Sequence, residues 1–309
     1  MQSTSGVQTL ASLRDRYILH ARGYYRRRDR SPSREHYNLK AALDRFVAYA
    51  GESSDPTKIN RFQVRGWIDQ LAAEKLSREY INQCLSRLRR FVRWCADLEL
   101  LPINCDAELR LVKPLRAFRS AAQEPPARPQ LEDPDIARIA AFLPLWAHDV
   151  VQLLRLSGAR PGEILELTNA EVHTDPRAPR LTPLQHKTAH HGHSRVIPLC
   201  PEALAIVDRW HRPFLPADRL IYCGRSVKLT TKSLDSAWSR ARKKAGVASA
   251  VPYDIRRSVA RKVRRSHGLD AAQALLGHAN ASTTEIYAPI DATETDAFQL
   301  ALRAVEGKP

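Results

Sequence analysis

The sequence predicts a mainly α-helical protein of two domains with one small β-hairpin or sheet. Three observations predict it. Apolar residues recur at helical spacing through most of the chain, a proline-rich stretch interrupts that pattern at 116–135, and one segment at 181–199 changes to a shorter period. A length of 309 residues is more than one core commonly serves, and 43% hydrophobic with 27% charged residues is the composition of a globular chain.

Each element follows from its own residues. Residues 1–33 contain "ARGYYRRRDRSPSR", dense in arginine, and are expected to form a basic, mobile arm. In "REHYNLKAALDRFVAYAG", Leu39, Leu43, Phe46 and Val47 share a helical face, and Gly51 offers a stop. "KINRFQVRGWIDQLAAE" places Phe62, Val64, Ile68 and Leu71 in a second helix. "SREYINQCLSRLRRFVRWCADLEL" aligns Tyr80, Cys84, Leu88, Phe91, Val92 and Cys95, with Pro102 expected to close it. Residues 34–115 are therefore expected to be a small helical bundle. A linker over 116–132 follows, marked by Pro125, Pro126 and Pro129. The second domain, 133–309, opens with two helices around Pro144, the second ending at Gly158. Leu181, Pro183 and Leu184, then Val196, Ile197 and Leu199, flank a His/Gly-rich turn, which reads as a β-hairpin. From "LTTKSLDSAWSRARKKAGV" onward the pattern is helical again.

Charge narrows the function. The net charge of +16, with a sequence pI near 10.0, implies a polyanionic partner, DNA or RNA foremost. Arg87, Arg89, Arg90 and Arg93 leave the apolar face of the third helix and are candidates for phosphate contact. No run of 18 apolar residues exists, so no membrane partner is expected, and the N-terminus lacks a basic-then-apolar leader. Cys84, Cys95, Cys105, Cys200 and Cys223, without paired CxxC spacing, read as reduced thiols in a cytoplasmic, nucleoid-associated protein. His186, His190, His191 and His193 have no metal-ligand spacing or cysteine partner, so a polar turn is expected there and no metal.

Four stretches then fall in order. "LSGARPGEILEL" places Arg160 after a glycine stop with Glu163 three residues on, where a cation at a helix N-terminus opposes the helix dipole. "QHKTAHHGHSRVIPL" carries Lys187 at the hairpin, "VPYDIRRSVARKV" carries Tyr253 and Arg256, and "LLGHANASTTEIY" carries His278 and Tyr287. In this order and spacing they resemble the tyrosine recombinases, the phage-integrase family of site-specific DNA recombinases. The resemblance covers residues 133 to 290 and, more weakly, the helical segment before them.

The resemblance implies a helical, SAM-like core-binding domain and an α+β tyrosine-recombinase catalytic domain with a C-terminal helix. It implies DNA cutting and rejoining through a 3′-phosphotyrosyl link, with neither metal, ATP nor other cofactor. Tyr287 is then the nucleophile, Arg160 and Arg256 hold the phosphate, Lys187 is the general acid, His278 touches the phosphate, and Glu163 orients or buffers an arginine. The implied partners are double-stranded DNA and three further copies, a homotetramer on two duplexes, with a monomer or dimer off DNA. In the tail, Thr293 or Thr295 would cap a helix whose Phe298, Leu302 and Val305 form a stripe that packs on its own domain or on a neighbour.

One residue departs from the pattern. The family usually has histidine where this chain has Tyr253, and a phenol donates a hydrogen bond but carries no positive charge near neutral pH. Other readings keep the same residues: a type IB topoisomerase-like enzyme, a hairpin telomere-resolving enzyme, or a non-catalytic DNA-binding protein on the same fold.

Overall fold

The computed structural model describes residues 8–26, 30–124, 131–184, 195–224, 228–277 and 284–285. The chain divides into two compact units, residues 1–127 and 128–309.

The first unit is helical: α1 (Leu10–Tyr24), α2 (Glu35–Ala50), α3 (Arg61–Ala73), α4 (Arg78–Asp97) and α5 (Ile103–Arg110). Side chains cap these helices where the sequence supplies short polar residues. Thr9 and Ser12 close a reciprocal box at α1, Asn60 Oδ1 accepts from the N–H groups of Phe62 and Gln63, and Ser77 accepts from Tyr80. α4 is the central element. Its Ile81, Cys84, Leu85, Leu88, Phe91, Val92 and Cys95 are all buried, at the three- and four-residue steps that make one helical face.

The arm expectation is corrected here. Residues 10–24 form α1, whose Leu10, Leu13, Tyr17 and Ala21 enter the same core as α4, with the Tyr17 ring 5.4 Å from Phe91 and 5.1 Å from Trp94. The spacing of three, four and four residues is a true apolar stripe, hidden in sequence by the arginines on its other faces. Three smaller corrections follow. Phe62 is 66% exposed, and Trp67 fills the core instead. α4 stops at Asp97, while Pro102 sits at the start of α5, where its missing N–H costs nothing. The expected linker from 116 is bound to the first unit as far as Glu124: Asn82 exchanges hydrogen bonds with Leu115, Gln123 bridges to Ser77, and Arg78 pairs with Glu124 at 2.7 Å.

The second unit holds α6 (Asp133–Ala140), α7 (Leu145–Ser157), α8 (Pro161–Glu166), three short strands, α9 (Pro201–Trp210), α10 (Thr231–Lys244) and α11 (Pro252–Leu276), the last broken at Gly268. β1 (Val172–His173), β2 (Arg180–Leu181) and β3 (Ile197–Pro198) form an antiparallel sheet in that order, with Leu181 opposite Ile197. The expected hairpin is β2–β3; β1 is an additional strand. Leu181, Ile197 and Leu199 are buried, whereas Leu184 and Val196 face outward, as a two-residue period requires. Val150, Val151, Leu153 and Leu154 of α7 share this core with Ile255 of α11 and Trp238 of α10. Among the described residues no helix is long and apolar enough to cross a membrane, and all five cysteines are free thiols.

Candidate active site

The site grows from two helix starts. α7 ends on Gly158, whose φ of +63° lies in the left-handed region that a residue without Cβ adopts at least cost. The chain reverses there and begins α8 two residues later, with Arg160 at the N-cap and Pro161 at the first helical position. Glu163, in the first turn, reaches back. Its Oε2 accepts the Arg160 backbone N–H at 3.0 Å, and its Oε1 accepts Arg160 Nη1 at 2.6 Å. One carboxylate thus satisfies an orphan donor of the helix and offsets a cation that the dipole disfavours.

α11 begins in the same manner: Pro252 is at its first position and Asp254 Oδ2 accepts the Val251 N–H at 2.9 Å. This sets Tyr253 and Arg256 one turn apart on one face. Arg256 is fully buried. Its Nη1 donates to the Gly158 carbonyl and its Nη2 to the Leu276 carbonyl, each at 2.7 Å. It therefore ties the end of α7 to both ends of α11.

A third arginine joins them. Arg195, 5% exposed and just before β3, has Nε 3.6 Å from Glu163 Oε2 and donates Nη1 to the Val196 carbonyl. Sequence reading missed it. The signal was present: strand alternation puts Arg195 on the face of Ile197 and Leu199, both buried, and a charge on a buried face requires a partner.

The charges respond to this crowding. Burial pushes Arg256 down to about 10, with Arg160 and Arg195 adding to the effect and Glu163 and Tyr253 opposing it, so it stays cationic at neutral pH. Burial also lowers Arg195, assisted by Arg160 and resisted by Glu163. Burial acts to lower Arg160 as well, but Glu163 and Tyr253 hold it above its ordinary value. For Glu163, burial works upward and is outweighed by Arg195 and Arg160, which keep the carboxyl below the usual range. Three guanidiniums around one carboxylate leave a surplus of two positive charges. Arg160 Nε and Arg195 Nη2 are buried and make no hydrogen bond among the described residues. A cationic cluster with unused donors is suited to an anion whose charge is spread over several oxygens.

Of the residues expected from sequence, Arg160, Glu163, Tyr253 and Arg256 are thus brought together. Lys187, His278 and Tyr287, with the turn histidines and the C-terminal stripe, lie outside the described residues. The four α4 arginines have partners within their own unit. Arg87 and Arg90 pair with Glu35 at 3.4 and 2.5 Å, Arg93 lies 3.6 Å from Asp106, and Arg89 donates to the carbonyls of Leu109 and Val112 at the end of α5. Arg89 thereby acts as a helix cap.

The sequence pattern of the phage integrase family matches residues 131–294, the stretch that holds this site. The chain belongs to that family. A tyrosine recombinase XerC of Bradyrhizobium diazoefficiens is 30% identical over 272 residues, covering 83% of this chain and 78% of the relative. The XerC of Shewanella amazonensis is 26% identical, covering 82% and 84%. In fold, the chain resembles a lambda integrase dimer bound to a COC′ core site, at a TM-score of 0.67 and 20% identity, covering 91% of this chain and 77% of that one. It also resembles the Tn1549 transposon integrase in complex with a circular intermediate DNA, at 0.70 and 14% identity, covering 96% and 99%. The enzyme is thus a tyrosine-type DNA recombinase, and site-specific DNA recombination is its activity.

Proposed function

We propose that the enzyme cuts and rejoins DNA strands through a 3′-phosphotyrosyl intermediate on Tyr287, using arginines rather than a metal to neutralise the phosphate. The observation that carries this is the buried cluster of Arg160, Arg195 and Arg256 around Glu163, with a surplus of two positive charges and unused donors. A phosphodiester resists attack because its charged oxygens repel the nucleophile. Catalysis is then mainly positioning plus charge neutralisation, to which one arginine contributes ~10³–10⁵ in related phosphoryl transfers.

The step runs as follows. The Tyr287 hydroxyl passes its proton to solvent as its oxygen bonds to phosphorus, the bond from phosphorus to the 5′ oxygen breaks, and Lys187 donates a proton to that oxygen. Arg160 and Arg256 bind the non-bridging oxygens, joined by His278 and by the hydroxyl of Tyr253 in the place where the family usually has histidine. The phosphotyrosyl link keeps the bond energy, and a 5′ hydroxyl of the second duplex attacks it to complete exchange. Double-stranded DNA is the partner, and four copies on two duplexes are the proposed assembly; a lambda integrase tetramer bound to a Holliday junction has a similar fold, with a TM-score of 0.67.

The general acid gives a direct test. Replacing the 5′ bridging oxygen by sulfur creates a leaving group that needs no proton. Lys187→Ala is expected to cleave such DNA at near the wild-type rate while failing on ordinary DNA, and Arg160→Ala is expected to fail on both. Equal defects of Lys187→Ala on the two substrates would remove Lys187 from the acid role.

A further inference from the structure

Glu163 has two oxygens and three donors that approach them. Oε1 takes Arg160 Nη1, while Oε2 takes the Arg160 backbone N–H and lies 3.6 Å from Arg195 Nε. Arg160 Nε, on the same fork, is left without an acceptor among the described residues. That is unusual, because guanidinium and carboxylate favour a two-point pairing. Arg195 itself is fixed in place. It precedes β3, is buried, and occupies the space beside Gly277, where an added Cβ would come within 2.8 Å of its Nη1.

We propose that Arg195 is a positioning residue for Arg160: it holds Glu163 from the far side and keeps that carboxylate from closing on the whole Arg160 fork. Arg160, whose side chain keeps 16% exposure, is thus held at one point, and its guanidinium can turn toward a phosphate oxygen. The argument rests on the phosphate-binding role of Arg160 given above. Charge acts in the same direction. With Arg195 present the cluster carries a surplus of two positive charges, matching the two negative charges that a phosphodiester carries when a tyrosinate attacks it. Without Arg195 the surplus falls to one, enough for the ground state alone. The loss is therefore expected in the chemical step more than in binding.

The test is a double-mutant cycle on the full chain. Covalent trapping is timed on nicked duplex DNA, using protein whose folded fraction is verified by circular dichroism. Arg195→Met keeps the bulk of the stem and removes the charge. It is expected to slow trapping by ~10²-fold, with DNA affinity little changed. Arg195→Lys, as a second variant, is expected to retain more of the rate than Arg195→Met. Adding Glu163→Gln to Arg195→Met removes the carboxylate that captures Arg160 and restores the surplus. The pair is expected to be faster than Arg195→Met alone by about tenfold. A purely structural Arg195 would make the pair slower still, since each change weakens the same buried cluster. Arg195→Met trapping at the wild-type rate, or a pair no faster than the single variant, overturns the proposal. A wild-type chain that forms no adduct overturns the parent reading instead.

Discussion

Glu163 is the residue on which the site turns, since it is the carboxylate shared by Arg160 and Arg195. Its carboxyl is held below the usual range against burial, so it binds fewer protons folded than unfolded. Its contribution is complete above the ordinary carboxylate value near ~4.3 and is lost as pH falls through the folded value. Thermal unfolding of wild type and Glu163→Gln between neutral and acid pH checks this. Wild type is expected to be the more stable at pH 7, with the gap narrowing below about pH 4.3. A gap that is constant or widens toward acid would contradict the ion pairs. Arg160, Glu163, Tyr253 and Arg256 were legible in sequence because each lies in a short contiguous stretch, "GARPGE" or "VPYDIRR", that resembles a motif of the family. Arg195 was not. Its partner is 32 positions away, and only the hairpin brings them together.

At the scale of elements, legibility follows how much of the signal is local. α2, α4, α6 and α7 were recognisable from apolar stripes and from stops at Gly51, Pro144 and Gly158. β1, two residues long, exists only by pairing Val172 with Leu181, so no periodicity announces it. α1 was missed for another reason: in "TLASLRDRYILHARGYYRRRDR" the charge is conspicuous, while the four buried residues are spread over twelve positions. Leu13 is 1% exposed in the first core. Leu13→Ala is expected to cost the first unit about 2–5 kcal/mol, through lost burial and a cavity. Urea unfolding measures it. No loss of stability would return residues 10–24 to the status of an arm.

On the scale of the whole molecule, a net charge of +16 gives a sequence-independent attraction to DNA, whose strength falls as salt rises. Some of its arginines are engaged internally, as the partners of Arg87, Arg89 and Arg90 demonstrate. The chain's basicity thus announces its partner better than its list of arginines locates the contacts. Two tyrosines compete for the chemistry: Tyr253 beside Arg160 and Arg256, and Tyr287 in the final motif. The measurement that decides is mass-spectrometric mapping of the protein–DNA adduct trapped on a nicked duplex from the source genome, for wild type, Tyr287→Phe and Tyr253→Phe. The expected result is a nucleotide adduct on the peptide containing Tyr287, absent in Tyr287→Phe and still present, at reduced yield, in Tyr253→Phe. An adduct on Tyr253, or trapping that survives Tyr287→Phe, would contradict the mechanism.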